Sequence, residues 1–558
     1  MPIYKGSGEN PGSIYVGGAS IGKVYLGQDL VWQKTGGGSF IFTVTVQEYD
    51  EIMLPLPTGY SYNFTVDWGD GTTPGTVTTY DDDDTYHYYE LAGTYDIKIT
   101  GTCQAFKVNN TMYGKQLITK IKNWGNCDFR VLDFYGCTNL SSIPTGAITG
   151  ANNTTSFANL FRNCTSLSSI PSVLFSNTTS VTNFQYSFAG CSSLASIPSG
   201  LFDNNIAVTN FLACFYNCTS LTSIPSGLFD NNASVTSFIG CFSSCSNLES
   251  IPSGLFNNNT AVTGFSACFA YCSSLTSIPS GLFDNNTAVA TTFGFSACFS
   301  NCTSLSSIPS GLFDNNTLVI NFNSCFTNCL SLTSIPSGLF DNNTIVTSFN
   351  YCFSGCSSLT SIPDGLFDNN TAVTSFDSCF AVCSSLTSIP AGLFDNNTSV
   401  ASFRLSFGNC TSLSSIPTGL FNNNTAVTNF NQSFSNCTSL TSIPSGLFDN
   451  NASVTDFSFI FYGCSSLTSI PAGLFNNNTA VTSFSSSFAH CWSLAAIPSG
   501  LFDNNTSVTS FSACFYNCTS LDGNAPELWN RSPAPNGNVC FRGCTGLDNY
   551  SSIPAAWK

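Results

Sequence analysis

"CTSLTSIPSGLFDNNASVTSFIGCFSSC", residues 218–245, begins and ends on cysteine, and its reading decides the fold. A Cys followed by x-S/N/G-L recurs at 137, 164, 191, 218, 245, 272, 302, 329, 356, 383, 410, 437, 464, 491, 518 and 544. Every interval is 27 residues except 30 after Cys272 and 26 after Cys518, with the three extra residues around TTFG at 291–294. A fixed period of this length means stacked units, because stacking tolerates a longer loop in one copy and then resumes its register.

With the Cys as position 1, the apolar positions are 1, 4, 7, 11, 12, 18, 21, 24 and 25. That spacing, near three, fits neither a long helix nor an alternating strand. Pro at position 8 ends the "SLTSI" run, since it has no N–H, and Gly at position 10 permits the bend that follows. Each unit should therefore run strand, corner, loop, second extended stretch, corner. No unit can bury its Leu, Ile and three Phe alone, so neighbours must form ladders of like residues, about 4.8 Å apart if strands pair.

A second Cys precedes the first by four residues at 214, 241, 268, 298, 325, 352, 379, 514 and 540. In other units that slot holds Leu160, Ser187, Ser406, Ser433, Ile460 or Ser487. A metal ligand or disulfide partner does not exchange with Ile or Ser, so the cysteines read as packing residues. Position 13 is Asp at 203, 230, 284, 314, 341, 368, 395, 449 and 503 but Asn at 257, 422 and 476. Stacked carboxylates about 5 Å apart repel by about 0.8 kcal/mol even at the dielectric of water, which bound cations would relieve. The Asn exchanges favour side chains that cap their own turns, followed by asparagines such as Asn231 and Asn232 bonding along the stack.

Apolar residues make up 42% of the 558, enough for a continuous core, whereas charged residues are only 8%. The net charge is -17, and Arg404 is the only Lys or Arg between Arg162 and Arg531. Phosphate neutralisation is therefore excluded along the repeats, and nucleic acid is a poor partner. The start, MPIYKGSGENPGSIYVGG, has no apolar signal core, and no stretch reaches the eighteen or so apolar residues of a membrane span. His87 and His490 are the only histidines and fall in different modules; no phosphate-binding loop or H-E-x-x-H motif occurs. The chain reads as a non-enzyme that needs no cofactor.

The F-x-x-C-x-x-L-x-x-I-P phrase resembles leucine-rich repeats of the BspA-like surface-protein type over residues 120–558, with "LFDNNT" lengthening the unit. "FTVDWGDGT" at 64–72 and "YHYYELAGTYDIKITG" at 86–101 resemble the signatures of a PKD-like β-sandwich. "SIYVGGASIGKVYLGQDLVWQK" resembles N-terminal segments of phage tail and fibre proteins. The expected fold is mainly β. It comprises an N-terminal β docking segment at 1–34, a Gly-rich linker at 35–39, a PKD-like sandwich at 40–107, a solenoid cap at 108–136, a leucine-rich-repeat-like solenoid at 137–521 and a closing unit at 522–558.

Recognition must use the positions at which the copies differ, which are 22, 23, 26 and 27. The candidate binding residues are Tyr351, Arg404, Leu405, Asn431, Gln432, Phe459, Tyr462, His490 and, at a position normally Ser or Thr, Trp492. Tyr, Asn and Ser on a neutral surface suit adaptable contact and sugar stacking. In the upstream module, Asp67, Asp70, Asp81 and Asp82 offer an alternative Ca²⁺ site, against a plain acidic loop. The resemblances imply a recognition protein, read first as a phage tail-fibre or virion-associated protein facing a bacterial cell-surface glycan or protein. The alternatives are a BspA-like bacterial surface adhesin and a structural virion decoration. Residues 1–36 would contact other virion proteins, and a homo-oligomer is a further partner class.

Overall fold

The computed structural model describes residues 38–108 and 114–558 together with four short strands before them. Those strands are β1 (Ile14–Val16), β2 (Ala19–Ile21), β3 (Lys23–Leu26) and β4 (Asp29–Gln33), paired as two antiparallel hairpins. The contacts expected of residues 1–36 otherwise lie outside the described residues.

Upstream of the repeats are β5 (Phe40–Val46), β6 (Glu51–Met53), β7 (Tyr62–Asp67), β8 (Gly75–Val77), β9 (Tyr86–Tyr88) and β10 (Gly93–Cys103). They are followed by β11 (Ala105–Val108), β12 (Ile118–Asn123) and β13 (Val131–Phe134). A five-stranded antiparallel sheet runs β12-β5-β10-β7-β8, while β6 pairs with β9 and β11 runs parallel to β13. Alternation in YNFTVD buries Tyr62, Phe64 and Val66 and exposes the residues between them. β12 joins this sheet to the repeats: it pairs with β5 on one side, and Ile121 donates its N–H to Ser142 O at 3.0 Å on the other. One hydrophobic core runs from Phe40 to Trp557.

From Cys137 onward each 27-residue unit lies in register on the next, and among the described residues helix is confined to single 3-10 turns. The extended stretches are shorter than the sequence suggests. Strand character shrinks to single parallel bridges at position 20, as in Asn183↔Asn210↔Ser237, and at position 6, as in Ser223↔Ser250. The reason is a backbone that alternates its partners. In the unit of Tyr351, N–H groups at positions 21, 23, 25 and 27 donate to the next unit (Phe349 to Ser375 O, Tyr351 to Asp377 O, Phe353 to Cys379 O, Gly355 to Ala381 O). Those at positions 24 and 26 fold back onto their own unit (Cys352 to Phe349 O, Ser354 to Tyr351 O). This weave places positions 23 and 27 in the left-handed region, for example Ala213 at φ 51° and Asn217 at φ 57°. Gly at position 10 is left-handed too, at φ 72° in Gly227, which is the bend expected of it.

Three columns of Phe, at positions 12, 21 and 25, run through the stack with like rings nearly parallel; Phe211 and Phe238 lie 5.8 Å apart at 2°. Like rings are 6.1 to 6.3 Å apart at position 12 between Phe202 and Phe502, but 5.4 to 5.8 Å at position 25 between Phe188 and Phe515. The wider spacing on one side bends the stack toward position 25, so positions 22–27 lie on its inner side. The TTFG insertion bulges between Val289 and Phe295, and Phe265 still stacks on Phe295 at 5.8 Å.

All 27 cysteines are buried and unbridged. Each position-1 thiol from Cys164 on donates to a position-25 Phe carbonyl, or its equivalent Phe134, about 30 residues earlier in the stack, as Cys356 does to Phe326 O at 3.2 Å. Burial pushes these thiols up, Cys245 to about 12, except Cys544, which its side-chain hydrogen bond with Cys518 holds below the ordinary thiol value. Where Ser replaces the second cysteine, its hydroxyl makes a similar bond: Ser406 Oγ donates to Phe376 O at 3.0 Å. Both asparagines after position 13 bond along the stack. Asn342 Nδ2 donates to Asp314 O at 3.1 Å, and the buried Asn343 Nδ2 donates to Phe313 O at 3.2 Å and Asn316 O at 3.0 Å. What position 13 contributes to these rungs is its backbone carbonyl, so Asp and Asn are interchangeable there. The stack closes where Arg531 reaches Asn505 O at 3.0 Å and Phe502 O at 2.6 Å, the two carbonyls a following Asn would have taken.

Candidate functional site

The face formed by positions 22–27 is built by the weave. Positions 23 and 27 are left-handed, and large side chains there, such as Tyr351 and Val382, reach the surface while small ones such as Ala213 and Ser378 stay buried; at position 26 the bulky Tyr462 and Tyr516 are half-buried. The structure brings four of the sequence-derived candidates into ring contact. Phe459 lies 5.7 Å from Tyr462, Tyr462 is 5.3 Å from His490, and His490 is 6.3 Å edge-on to Trp492. Tyr516 extends the row, 5.2 Å from His490. Trp492 is 51% exposed and Phe459 36%, so the rings present area to solvent instead of filling the core. The row crosses three successive units.

The other candidates are placed differently. Gln432 Nε2 donates to Asn431 Oδ1, and Asn431 Nδ2 reaches Asp456 Oδ2 at 3.3 Å, forming a polar flank next to Ser458 and Phe459. Arg404 takes Asp377 Oδ1 on its backbone N–H at 3.0 Å. Asp377 therefore continues a rung that Asn323 and Asn350 make at position 22 in earlier units, where a side-chain oxygen accepts from the next unit. Position 22 varies between the copies, yet in these units its side chain is partly used by stacking. Leu405 is left-handed at φ 56° and half-buried, and Tyr351 stands exposed at φ 59° four units before the ring row begins.

A second aromatic group lies at the opposite end of the same face. The Arg162 guanidinium sits 4.4 Å over Tyr186 and 5.5 Å over Tyr135, and Lys115 also approaches Tyr135 at 5.5 Å. Beneath it Asp133, paired across the β11–β13 ladder with Lys107, is pushed up to about 7 by burial, opposed by its bond from the Tyr135 N–H and by Lys107 and Arg162. This buried carboxylate was not visible as such in the sequence, where "VLDF" gives no sign of which face the Asp takes.

The four acidic candidates do not converge. Asp67 accepts from Lys98 Nζ at 3.0 Å, and Asp70 from Thr72 N–H at 3.0 Å and from His87 Nε2 at 2.7 Å. His87 is stacked on Trp68 at 4.8 Å, which makes it a fixed part of this corner. Asp82 takes the N–H groups of Thr78 and Thr79 and is held at about 2 by those bonds. Asp81 and Asp82 line a cavity of about 780 Å³ together with Met53, Pro55, Tyr80 and Lys107. Among the described residues no three His, Cys, Asp or Glu side chains are grouped to hold a metal ion.

The stacked units with their Leu, Ile-Pro and Cys ladders are similar to leucine-rich repeats: the family described as "BspA type Leucine rich repeat region" matches residues 286–392, in six copies. The family described as "Mycoplasma protein of unknown function, DUF285" matches residues 150–254, 374–497 and 428–553, more than half of the chain, and the chain belongs to it. Solved structures with a similar chain course include one from the Toll–Spatzle complex of Drosophila, 17% identical over 73% of this chain and 52% of that one, with a TM-score of 0.39. This chain thus spans about half the length of that relative. A leucine-rich cell surface protein of Faecalibacterium prausnitzii is 19% identical over 76% of this chain and 94% of its own, with a TM-score of 0.30. A leucine-rich repeat protein of Eubacterium ventriosum is 17% identical over 68% and 93%, with a TM-score of 0.25. No curated protein matches the chain in sequence.

Proposed function

We propose that this protein is a non-enzymatic recognition protein of the bacterial cell surface, an adhesin whose solenoid of BspA-type repeats presents the inner, 22–27 face to a surface molecule on another cell. The observation that carries the reading is the ring row from Phe459 to Tyr516, a run of aromatic contacts across three units in which Phe459 and Trp492 are exposed. Repeat stacks bind over extended inner surfaces of this kind. The PKD-like sandwich upstream serves as the spacer that holds the stack away from its anchor. The virion-fibre reading rests on the first 36 residues, and the BspA-type match favours the surface adhesin over it.

The test is adhesion of the labelled full-length chain to intact bacterial and epithelial cells, with unlabelled chain as competitor. Saturable adhesion that falls in Trp492→Ser and persists in Ile206→Ser, a change at an exposed residue on another corner, is expected. Adhesion unaffected by Trp492→Ser would refute the assignment of this face.

A further inference from the structure

Three departures from the repeat's own rules meet in the ring row, and none of them helps the stack. Position 27 is left-handed in every unit; eleven of the fifteen residues there are Asn or Gly, the types that tolerate it, yet the row has His490 at φ 64°. Position 23 is left-handed as well, commonly Ala or Ser, and here it is Phe459 at φ 58°. Position 2 is normally Ser or Thr and donates its hydroxyl to the preceding unit, as Thr438 does to Thr411 O at 3.2 Å and Ser465 to Thr438 O at 3.4 Å. Trp492 gives that rung up. Each departure also occurs singly elsewhere, as Val382 at position 27, Tyr351 at position 23 and Leu330 at position 2, but in the row they lie in one chain of ring contacts.

The chemistry of the row narrows the ligand. No Lys or Arg occurs from Leu405 to Asn530, so the row lacks the cation that a sialylated or sulfated chain would need. Its flank carries Asp456, whose carboxylate accepts the Ser458 N–H at 2.7 Å and Asn431 Nδ2, and this repels anions. Protein hot spots combine Trp and Tyr with Arg in well-packed, desolvated pockets. Here the surroundings are Ser, Asn and Gln. A pyranose offers what the row lacks: an apolar C–H face that stacks on a ring, and hydroxyls around its edge for Tyr hydroxyls, the His490 and Trp492 ring nitrogens, and the Asn431–Gln432 pair. Ring centres 5.2 to 6.3 Å apart over three units suit several linked sugars better than one.

We infer that the Phe459–Tyr462–His490–Trp492–Tyr516 row is a binding site for a neutral oligosaccharide chain. The inference rests on the reading of this face as the recognition surface. Its test uses the full-length chain and the triple variant Phe459→Ser, His490→Asn, Trp492→Ser, in which each position returns to a residue that other units carry, so folding is preserved. Cells that bind the wild type are treated separately with periodate, protease or sialidase. Adhesion lost after periodate, retained after protease and sialidase, and weakened about tenfold or more in the triple variant supports the inference. Loss after protease alone, or after sialidase, overturns the neutral glycan and leaves the recognition reading standing. Equal adhesion by the triple variant overturns the site, and a wild type that adheres to no cell overturns both readings.

Discussion

Asn343 and Asn342 are neighbours in sequence with opposite burdens, and replacing each by Ala separates the inner ladder from the outer one. Asn343 is fully buried and holds two carbonyls of the preceding unit, while Asn342 is exposed and holds one. Neither inner carbonyl is stranded by Asn343→Ala. Phe313 O still accepts Asn316 N–H at 3.0 Å, and Asn316 O still accepts Val319 N–H at 3.3 Å. The loss is therefore two net hydrogen bonds, about 1 kcal/mol each, plus a small void, for a total of about 2 to 3 kcal/mol. Loss of the Oδ1 atom, which has no donor, offsets part of this. Asn342→Ala should cost under about 1 kcal/mol because water replaces its single bond. In a stack coupled through nearest neighbours the damage falls on the junction with the preceding unit. Because a chain this long will not unfold in two states, local hydrogen exchange by mass spectrometry is the suitable assay. Exchange in peptides around 313–343 should rise about thirtyfold in Asn343→Ala and no more than about fivefold in Asn342→Ala. Equal effects, or protection lost evenly along the chain, would refute the ladder argument.

Arg531→Ala should fray the closing unit, detected as early protease cleavage after residue 505, because Phe502 O and Asn505 O lose their capping guanidinium; an intact end would show that Trp529 and Trp557 close the stack alone. Asp133 has its folded pKa raised from 3.8 to about 7, so the unfolded chain ionises first and this group's contribution falls as pH rises from about 4 to about 7. The melting temperature of Asp133→Asn should accordingly gain on the wild type across that window and keep a constant offset above it. Native protein should leave all 27 thiols unlabelled by a thiol reagent, and denatured, unreduced protein should label all 27. Changing Val382, a β-branched residue at φ 62° where most other units carry Asn or Gly, to Asn should stabilise its unit by about 1 kcal/mol, read by local exchange.

The period, the inward Cys, Leu, Ile and Phe positions and the Gly bend could all be read from the sequence, because a repeated chain states its core fifteen times over. The Asn rungs could be read as well, since a polar pair kept in copy after copy must be satisfied within the stack. The alternating weave could not. Nothing in "SFIGCFSSC" announces that positions 23 and 27 turn left-handed, and Ala213, Tyr351 and Val382 conceal it because only some copies use Asn or Gly. That hidden geometry decides which variable residues face solvent. Phe459, Tyr462, His490 and Trp492 could be named from their departure from the copies, but their ring contacts depend on the bend of the stack. Asn350 and Asp377 look equally variable and proved to be rungs. The Asp133 burial depends on the parallel pairing of β11 with β13, a long-range event with no local signature.

Oxidative footprinting of the full-length chain, free and bound to the cells it adheres to, tests the central claim most directly. Protection should concentrate on Tyr462, His490, Trp492 and Tyr516, while Ile206, Leu318 and Ile345, exposed on another corner of the units, stay as reactive as in the free chain. Protection of that corner with the ring row left reactive would contradict the account.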